Sequence, residues 1–437
     1  MASIKKTTQE IVAEFCQSPL VAEEIVYIES VDSFAQYQKG EGYFKILKRQ
    51  EMEKFVYLFL VANMKKNLTT SFVKDFINQI KYIMYSREED VVTDYIGISE
   101  SKCLNKRSMD FEPYTREMRA FHKINIDPEE EHDPTAFMQF LDEILVKEDG
   151  ITPDKDLQSL VQEMFGYCLI NSIEGHRSFF LVGNGSNGKS VLLSLLMEII
   201  GEQFCDSQSI ESLTVDRFAA ASLIGKIVNV CTEEESKYVK SDKFKALVSG
   251  DQITIQRKYE DSFTWKPNVK FIFATNEMPT FAGFNRGLLR RICIIPFNRH
   301  FKENEKDTKK LRKLRGELKA IVWWAMRGAE RLIENEFRFT EPAQVEGKKE
   351  ELKEKLSSAV LFYNENCQPE THKSTKAEMI YDMYKLWCTK RGKQAQQYYN
   401  FLKDIELHTG KRVLLKEGNK QYMHITMTRD MFDEYDE

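Results

Sequence analysis

The stretch FFLVGNGSNGKSVLLSLLMEII, residues 179–200, decides how the rest of the chain is read. Phe179, Phe180, Leu181 and Val182 predict a short buried strand. Gly183-Asn184-Gly185-Ser186-Asn187-Gly188-Lys189-Ser190 follows and fits the phosphate-loop pattern G-x-x-x-x-G-K-[ST]. An apolar run over 191–200 predicts a buried helix. That order of strand, loop and helix is what the chemistry needs. Glycines let backbone N–H groups close around phosphate oxygens, and the helix N-terminus adds partial positive charge. Lys189 is placed to reach the β- and γ-phosphates, and the Ser190 hydroxyl to ligate Mg²⁺. Eight residues with four fixed positions recur by chance. The correct flanks make this one a nucleoside triphosphate site, with ATP and Mg²⁺ the expected cofactors.

Composition sets outer limits. A chain of 437 residues has room for two to four domains. With 42% hydrophobic and 30% charged residues it reads as globular. No apolar run nears the ~18 residues that a bilayer span needs. The opening MASIKKTTQEIVAEF lacks the apolar segment of a secretory signal. The expectation is a cytoplasmic protein with no membrane partner. Eight cysteines are scattered without a C-x-x-C pair, which favours reduced core residues over zinc ligands or disulfides. The net charge of −5 means that any nucleic-acid surface has to be local.

The first 114 residues read as an accessory α+β unit. Residues 25–28 and 43–47 are β-like. Met52, Phe55, Val56, Phe59 and Leu60 recur at helical spacing, as do Phe72, Val73, Phe76, Ile77 and Ile80. The segment lacks the D-x-D with later basic or His partners that a nucleotide polymerase centre requires. Residues 127–134, DPEEEHDP, read as a linker or exposed loop. Two helices are expected next, over 137–146 and 157–170. In the second, Leu157, Leu160, Val161, Met164, Phe165, Cys168 and Leu169 form one apolar stripe, suited to a core or to a neighbouring subunit.

Beyond the loop, residues 227–231 (IVNVC) predict a second buried strand ending in Thr232-Glu233-Glu234-Glu235. A nucleotide hydrolase needs carboxylates there to orient Mg²⁺ and polarise the attacking water. Glu233 is the first choice and Glu234 the second. Residues 253–265 read as a β-hairpin carrying Arg257, Lys258 and Tyr259 near its tip. Two cations and an aromatic suit a nucleic-acid backbone with optional stacking, although charged hairpin tips are ordinary. Residues 269–274 (VKFIFA) predict a third strand, ending in Thr275-Asn276, where Asn276 is placed to hold a hydrolytic water. Arg290 and Arg291 precede a further strand. In a ring of identical subunits, an arginine there can reach the neighbour's γ-phosphate. The C-terminal part predicts helices followed by a hairpin wing, a winged-helix outline. Residues 371–429 hold twelve Lys/Arg against five Asp/Glu, a basic module on an acidic chain.

These motifs in this order resemble the superfamily 3 helicases, and within them the poxvirus-type primase–helicase family of phages, plasmids and mobile islands. The match covers 179–297, with flanks that look similar. The resemblance implies an α/β fold with an AAA+-type P-loop core at 176–340. An α+β N-terminal domain at 1–126 and a helical segment at 135–175, a possible oligomerisation collar, precede the core. A winged helix at 356–429 follows it. It implies an ATP-dependent replicative DNA helicase, hexameric, moving 3′→5′ on single-stranded DNA. Lys258 and Tyr259 then fall at the DNA-tracking hairpin tip, Asn276 at the polar sensor, and Arg291 at the trans-acting finger, with Arg290 its rival. Many relatives carry a primase–polymerase domain ahead of the helicase. This chain lacks its motifs, so any priming activity is expected on another protein, a separate primase or polymerase, or nowhere. An origin-melting initiator acting on origin or forked DNA, and a nucleotide-switched DNA-binding protein with little turnover, are the alternatives.

Overall fold

The computed structural model describes residues 7–427, except 19–20, 22–23, 64–67, 87–92, 129–130, 236–237, 259, 283–285, 306, 308, 370–373, 410–413, 417–419 and 424. The chain divides into two compact units. One holds residues 1–283 and 290–345, the other 284–289 and 346–437.

A central sheet organises the first unit. Its five strands, numbered in chain order, are β1 (Ser178–Val182), β2 (Cys205–Asp206), β3 (Val228–Cys231), β4 (Lys270–Thr275) and β5 (Ile292–Pro296). All run parallel, in the order β5-β1-β4-β3-β2. A parallel sheet is covered on both faces, which is why β3, β4 and β5 are buried at every position and read as largely apolar runs. Val182 lies opposite Thr275 and Pro296, and Cys231 opposite Phe273. The C-terminal ends of four strands therefore share one edge, where parallel sheets hold their ligands. The helix Lys189–Ile200 leaves β1 through the glycine-rich loop and buries Leu192, Leu193, Leu195, Leu196, Ile199 and Ile200.

The expected helices before the loop span Thr135–Ile144 and Lys155–Leu169. The apolar stripe of the second packs within its own chain, against the helix Leu318–Glu334. Glycines set the closeness of that contact. A methyl on Gly166 would sit 2.3 Å from the Ala329 nitrogen, and one on Gly328 would sit 2.3 Å from the Gln162 carbonyl oxygen. Trp324 meets Phe137 and Phe165 edge-on, with ring centroids 5.0 and 5.5 Å apart. Glu163, fully buried, pairs with Arg331 at 2.9 Å and accepts from the Thr340 N–H at 2.7 Å.

The N-terminal part contains more strand than the sequence reading gave. Ile25–Ile28 and Tyr43–Ile46 are joined by Ser33–Gln38 and Tyr85–Ser86 in a four-stranded sheet. Tyr95–Ser99, Lys102–Asn105 and Phe111–Pro113 form a three-stranded sheet. The added strands are half-buried and mix Gln, Lys, Asn and Ser among their apolar residues, so they show no apolar run. Helices Thr8–Gln17, Arg49–Asn63 and Thr70–Ile83 pack around Phe15, Val56, Leu60, Phe76 and Ile80. Thr69 caps the last of them by accepting the Phe72 N–H.

In the second unit, helices Ser358–Asn366, Ala377–Lys390 and Tyr398–Thr409 enclose Phe362, Tyr384, Trp387 and Phe401. Strand Leu414–Lys416 then pairs antiparallel with Lys420–Met423. All eight cysteines are free. Among the described residues, no helix is long and apolar enough to cross a membrane.

Lys270 opens β4 and is 1% exposed. Its ammonium donates to the Ile170 carbonyl, the C-cap of the helix Lys155–Leu169, and lies 5.6 Å from the Tyr167 ring centroid. A helix C-terminus presents carbonyls without intrahelical partners and partial negative charge, which accounts for a lysine in the core. Burial pulls its pKa down to about 7. The unfolded chain, with an ordinary lysine pKa of about 10.4, therefore binds more protons between these values, and stability rises with pH across that window. Lys270→Met removes this contribution. Its stability relative to wild type is expected to fall by a few kcal/mol from pH 7 to pH 10, read from denaturant midpoints. An unchanging difference would contradict the assignment.

Candidate functional site

The glycine-rich loop sits where β1 ends. Gly183 donates its N–H to the Thr275 carbonyl of β4 at 3.2 Å. A methyl there would fall 2.5 Å from the Phe297 carbonyl oxygen, so only glycine fits. Gly188 has φ +88° and faces Ile144, whose Cγ2 would stand 2.6 Å from a methyl. Asn184, Gly185 and Ser186 form the exposed crest, and Ser190 is exposed on the first helical turn. The crest is tied back by the Phe301 N–H, which donates to the Ser186 carbonyl at 2.8 Å. Lys189 is 8% exposed, and its ammonium donates to the Gly183 carbonyl. Burial holds its pKa below the ordinary lysine value.

Whether this loop suits a polyphosphate is tested by its polar atoms. Asn187 is 3% exposed, and its Nδ2 has no hydrogen-bond partner among the described residues. A buried donor without an acceptor costs about 1–3 kcal/mol. Here it lies in the same loop as a buried ammonium at a helix N-terminus. The donor set fits a triphosphate, with Ser190 free to face a divalent cation.

The two acidic candidates separate. Glu233 is exposed and leaves the end of β3. Glu234 turns inward and is 4% exposed. Its backbone N–H donates to the Ala274 carbonyl at 2.8 Å, and its carboxylate accepts the Ile210 N–H at 2.8 Å. Glu234 therefore fixes the start of the helix Ile210–Val215 to the sheet, leaving Glu233 facing the ligand edge. By register Glu233 lies level with Thr275 and, two strand spacings from β1, about 10 Å from the phosphate-loop strand. Asn276 is exposed at the end of β4, between Glu233 and the loop. Asn229, in the middle of β3 and fully buried, was not singled out from sequence. Its amide accepts the Gln208 N–H at 2.8 Å and donates to the Gln208 carbonyl at 2.9 Å, holding the segment after β2. An asparagine inside an apolar strand is the signal that could have found it.

Of the arginine pair, Arg291, expected as the trans-acting finger, is the buried member. Arg291 is 8% exposed, and its Nε donates to Ser249 Oγ at the end of the helix Ser241–Ser249. The Arg291 carbonyl accepts the Ser178 N–H at 2.7 Å, and burial holds the guanidinium pKa below its usual range. Within this chain its guanidinium is held against the helix Ser241–Ser249. Arg290 is exposed.

The hairpin is present, with Ile253–Gln256 paired antiparallel to Ser262–Trp265. Lys258 is exposed at its tip, and Tyr259 lies outside the described residues. Arg257 is not available to a ligand as expected. Its guanidinium donates to the Val31 carbonyl at 2.6 Å, the Asp32 carbonyl at 3.1 Å and Ser33 Oγ at 3.0 Å. Sequence could not show this, because all three partners lie more than 220 positions away.

A parallel α/β sheet carrying a phosphate-type loop, a carboxylate and an asparagine along one edge defines a P-loop-like core. Comparisons agree with this class. The model of a family of unknown function (DUF5906) matches residues 181–291. The protein named "Putative helicase L207/L206" of Acanthamoeba polyphaga mimivirus is 29% identical over 171 residues, 37% of this chain and 18% of that one. "Primase D5" of Fowlpox virus is 25% identical over 184 residues, 39% of this chain and 22% of that one. "Uncoating factor OPG117" of Vaccinia virus is 27% identical over 162 residues, 34% of this chain and 20% of that one. The matched region thus spans about a fifth of each of these curated viral relatives, of which one is named a putative helicase and one a primase. Among solved structures, the apo NrS-1 C-terminal region superposes with a TM-score of 0.52 at 11% identity, over 96% of this chain and 99% of that one. At that identity the likeness is one of fold.

Proposed function

We propose that this chain is an ATP-driven replicative DNA helicase of superfamily 3, encoded by a phage or other mobile genetic element. The observation that carries the reading is the strand order. One strand, β4, stands between the phosphate-loop strand and the acidic strand, bringing Lys189, Asn276 and Glu233 to one edge. That arrangement is the one an AAA+-type core requires, and the helicase- and primase-named relatives support the same class. In this reading the loop from Gly183 to Gly188 and Lys189 bind the triphosphate of ATP. Ser190 and Glu233 hold Mg²⁺, which neutralises phosphate charge. Asn276 orients the hydrolytic water, and Glu233 polarises it. Hydrolysis falls at the boundaries of a homo-oligomeric ring, proposed to be a hexamer, with Arg290 reaching the neighbouring nucleotide. Lys258 contacts single-stranded DNA, and the C-terminal unit serves as a winged helix on forked or origin DNA.

The test is ATP hydrolysis with and without single-stranded DNA, paired with strand displacement on forks bearing a 3′ or a 5′ tail. DNA-stimulated hydrolysis with displacement from the 3′-tailed fork is expected. Hydrolysis without displacement would move the assignment to an origin-melting initiator. No hydrolysis would leave a nucleotide-switched DNA-binding protein.

A further inference from the structure

The hairpin does not stand alone. Its tip is seated on the N-terminal four-stranded sheet, at the turn between strands Ile25–Ile28 and Ser33–Gln38. Arg257 is the centre of that seat. Besides its three hydrogen bonds to Val31, Asp32 and Ser33, the guanidinium lies over the Phe263 ring at 4.8 Å. The seat is built to receive it. Asp32 adopts φ +42°, and one oxygen of its carboxylate accepts from the Tyr27 hydroxyl at 2.7 Å and from Lys81 at 2.6 Å. A second link lies alongside, where Arg49 of the N-terminal part donates to Glu260 of the hairpin at 2.9 Å.

The same sheet also holds the far edge of the core. Tyr43 meets Phe204 edge-on at 5.3 Å, beside β2, and Ile46 packs over Gly225 just before β3. Between the two attachments lies a cleft of about 1120 Å³, rimmed by Lys45, Lys48, Lys74 and Lys226. The N-terminal sheet is therefore joined to the core at two separate places, like a strut, with open space between them. Lys258 stays exposed while Arg257 is engaged, so the contact presents the tip instead of covering it.

We infer that Arg257 is a positioning residue that braces the hairpin against the N-terminal sheet, so that the first 114 residues fix where Lys258 meets the nucleic acid. This rests on the reading that Lys258 touches DNA. A guanidinium suits the role because two nitrogens of one rigid plane reach adjacent carbonyls, which a lysine cannot copy. On a braced subunit the hairpin does not swing as a free lever. It moves with its core and N-terminal sheet together.

The test uses the full chain and four forms: wild type, Arg257→Ala, Arg257→Lys and Lys258→Ala. Amide hydrogen exchange over 29–34 reports the brace without reference to activity. DNA-stimulated ATP hydrolysis is measured against the concentration of a single-stranded oligonucleotide. Arg257→Ala is expected to speed exchange over 29–34 at least tenfold and to lower DNA-stimulated kcat at least tenfold. The half-saturating DNA concentration should move less than threefold. Arg257→Lys should recover only part of both losses. Lys258→Ala is expected to do the reverse, raising half-saturating DNA at least tenfold with exchange over 29–34 unchanged. Unchanged exchange in Arg257→Ala overturns the brace, whatever Lys258→Ala does. Faster exchange with wild-type or raised DNA-stimulated kcat overturns it too, since the contact would then be idle or inhibitory. A Lys258→Ala protein with wild-type DNA dependence removes the underlying reading instead, and the exchange data still report whether the brace exists.

Discussion

Lys189→Ala is expected to lower ATP turnover by about three orders of magnitude, a loss of about 4 kcal/mol in transition-state stabilisation. The size follows from where the ammonium sits. It is 8% exposed, at the first position of the helix Lys189–Ile200, within reach of the Gly183 carbonyl. Water is largely excluded there, so a positive charge acts on phosphate oxygens with little screening. Burial holds its pKa down, and a triphosphate beside it would favour the charged form and reverse that shift. Removal leaves the Gly183 carbonyl still accepting from the Gly185 N–H at 3.2 Å and no buried counter-charge behind. The fold should survive, with a melting temperature within a few degrees of wild type. Steady-state phosphate release and thermal denaturation on the same preparation separate the two effects. Sustained hydrolysis by a folded Lys189→Ala protein would remove the nucleotide site from this loop.

Elements set by local pattern were legible in the sequence. The phosphate loop needs its glycines within eight residues, and the flanking strand and helix are apolar runs, so 178–200 was read almost to its ends. The same holds for β3, β4 and the helices at 135–169, whose identity rests on periodicity or on continuous burial. Neighbours of like chemistry are what pattern alone does not separate: Glu233, the first choice, is the exposed member of its pair, whereas Arg291, the first choice of the other pair, is the buried one. Glu233 and Glu234 differ only in which side of the strand end they leave, and so do Arg290 and Arg291. A strand alternates its side chains, and a register is settled by the partner strand, which sequence does not number. Arg257 was misread for another reason. A charged tip looks solvated until the sheet that receives it is placed, and that sheet lies at the other end of the chain. Lys270 was passed over because an apolar strand gives no hint of a helix C-terminus beneath it. The stripe at 157–169 suited a core or another subunit equally well. In the structure it packs on the helix Leu318–Glu334 of its own chain, with Gly166 and Gly328 at the closest approach.

Arg290→Ala should act on the assembly more than on its own subunit. The exposed Arg290 stands beside the buried Arg291, whose guanidinium donates to Ser249 and whose carbonyl is held by Ser178. The pair is thus one fixed residue followed back by one that projects. A projecting arginine on a rigid strand start is what charge stabilisation across a subunit boundary needs, and fingers of this kind contribute about 10³–10⁵ in rate. Arg290→Ala alone is therefore expected to lose at least about a thousandfold in turnover while still binding nucleotide. Mixing distinguishes action in trans from action in cis. If the proposed ring is a hexamer that needs every boundary, a half-and-half mixture retains about 2% of wild-type activity, against about 50% if subunits act independently. Arg291→Ala supplies the contrast. It empties a buried site beside Ser249 and should lower the melting temperature, with activity in mixtures falling in proportion to the wild-type fraction. Preformed wild-type and variant proteins would be exchanged through a dissociating salt step, reassembled, and assayed for DNA-stimulated phosphate release. A straight dilution line for Arg290→Ala would sink the finger in trans, and a steep curve for Arg291→Ala in its place would return the role to the buried arginine.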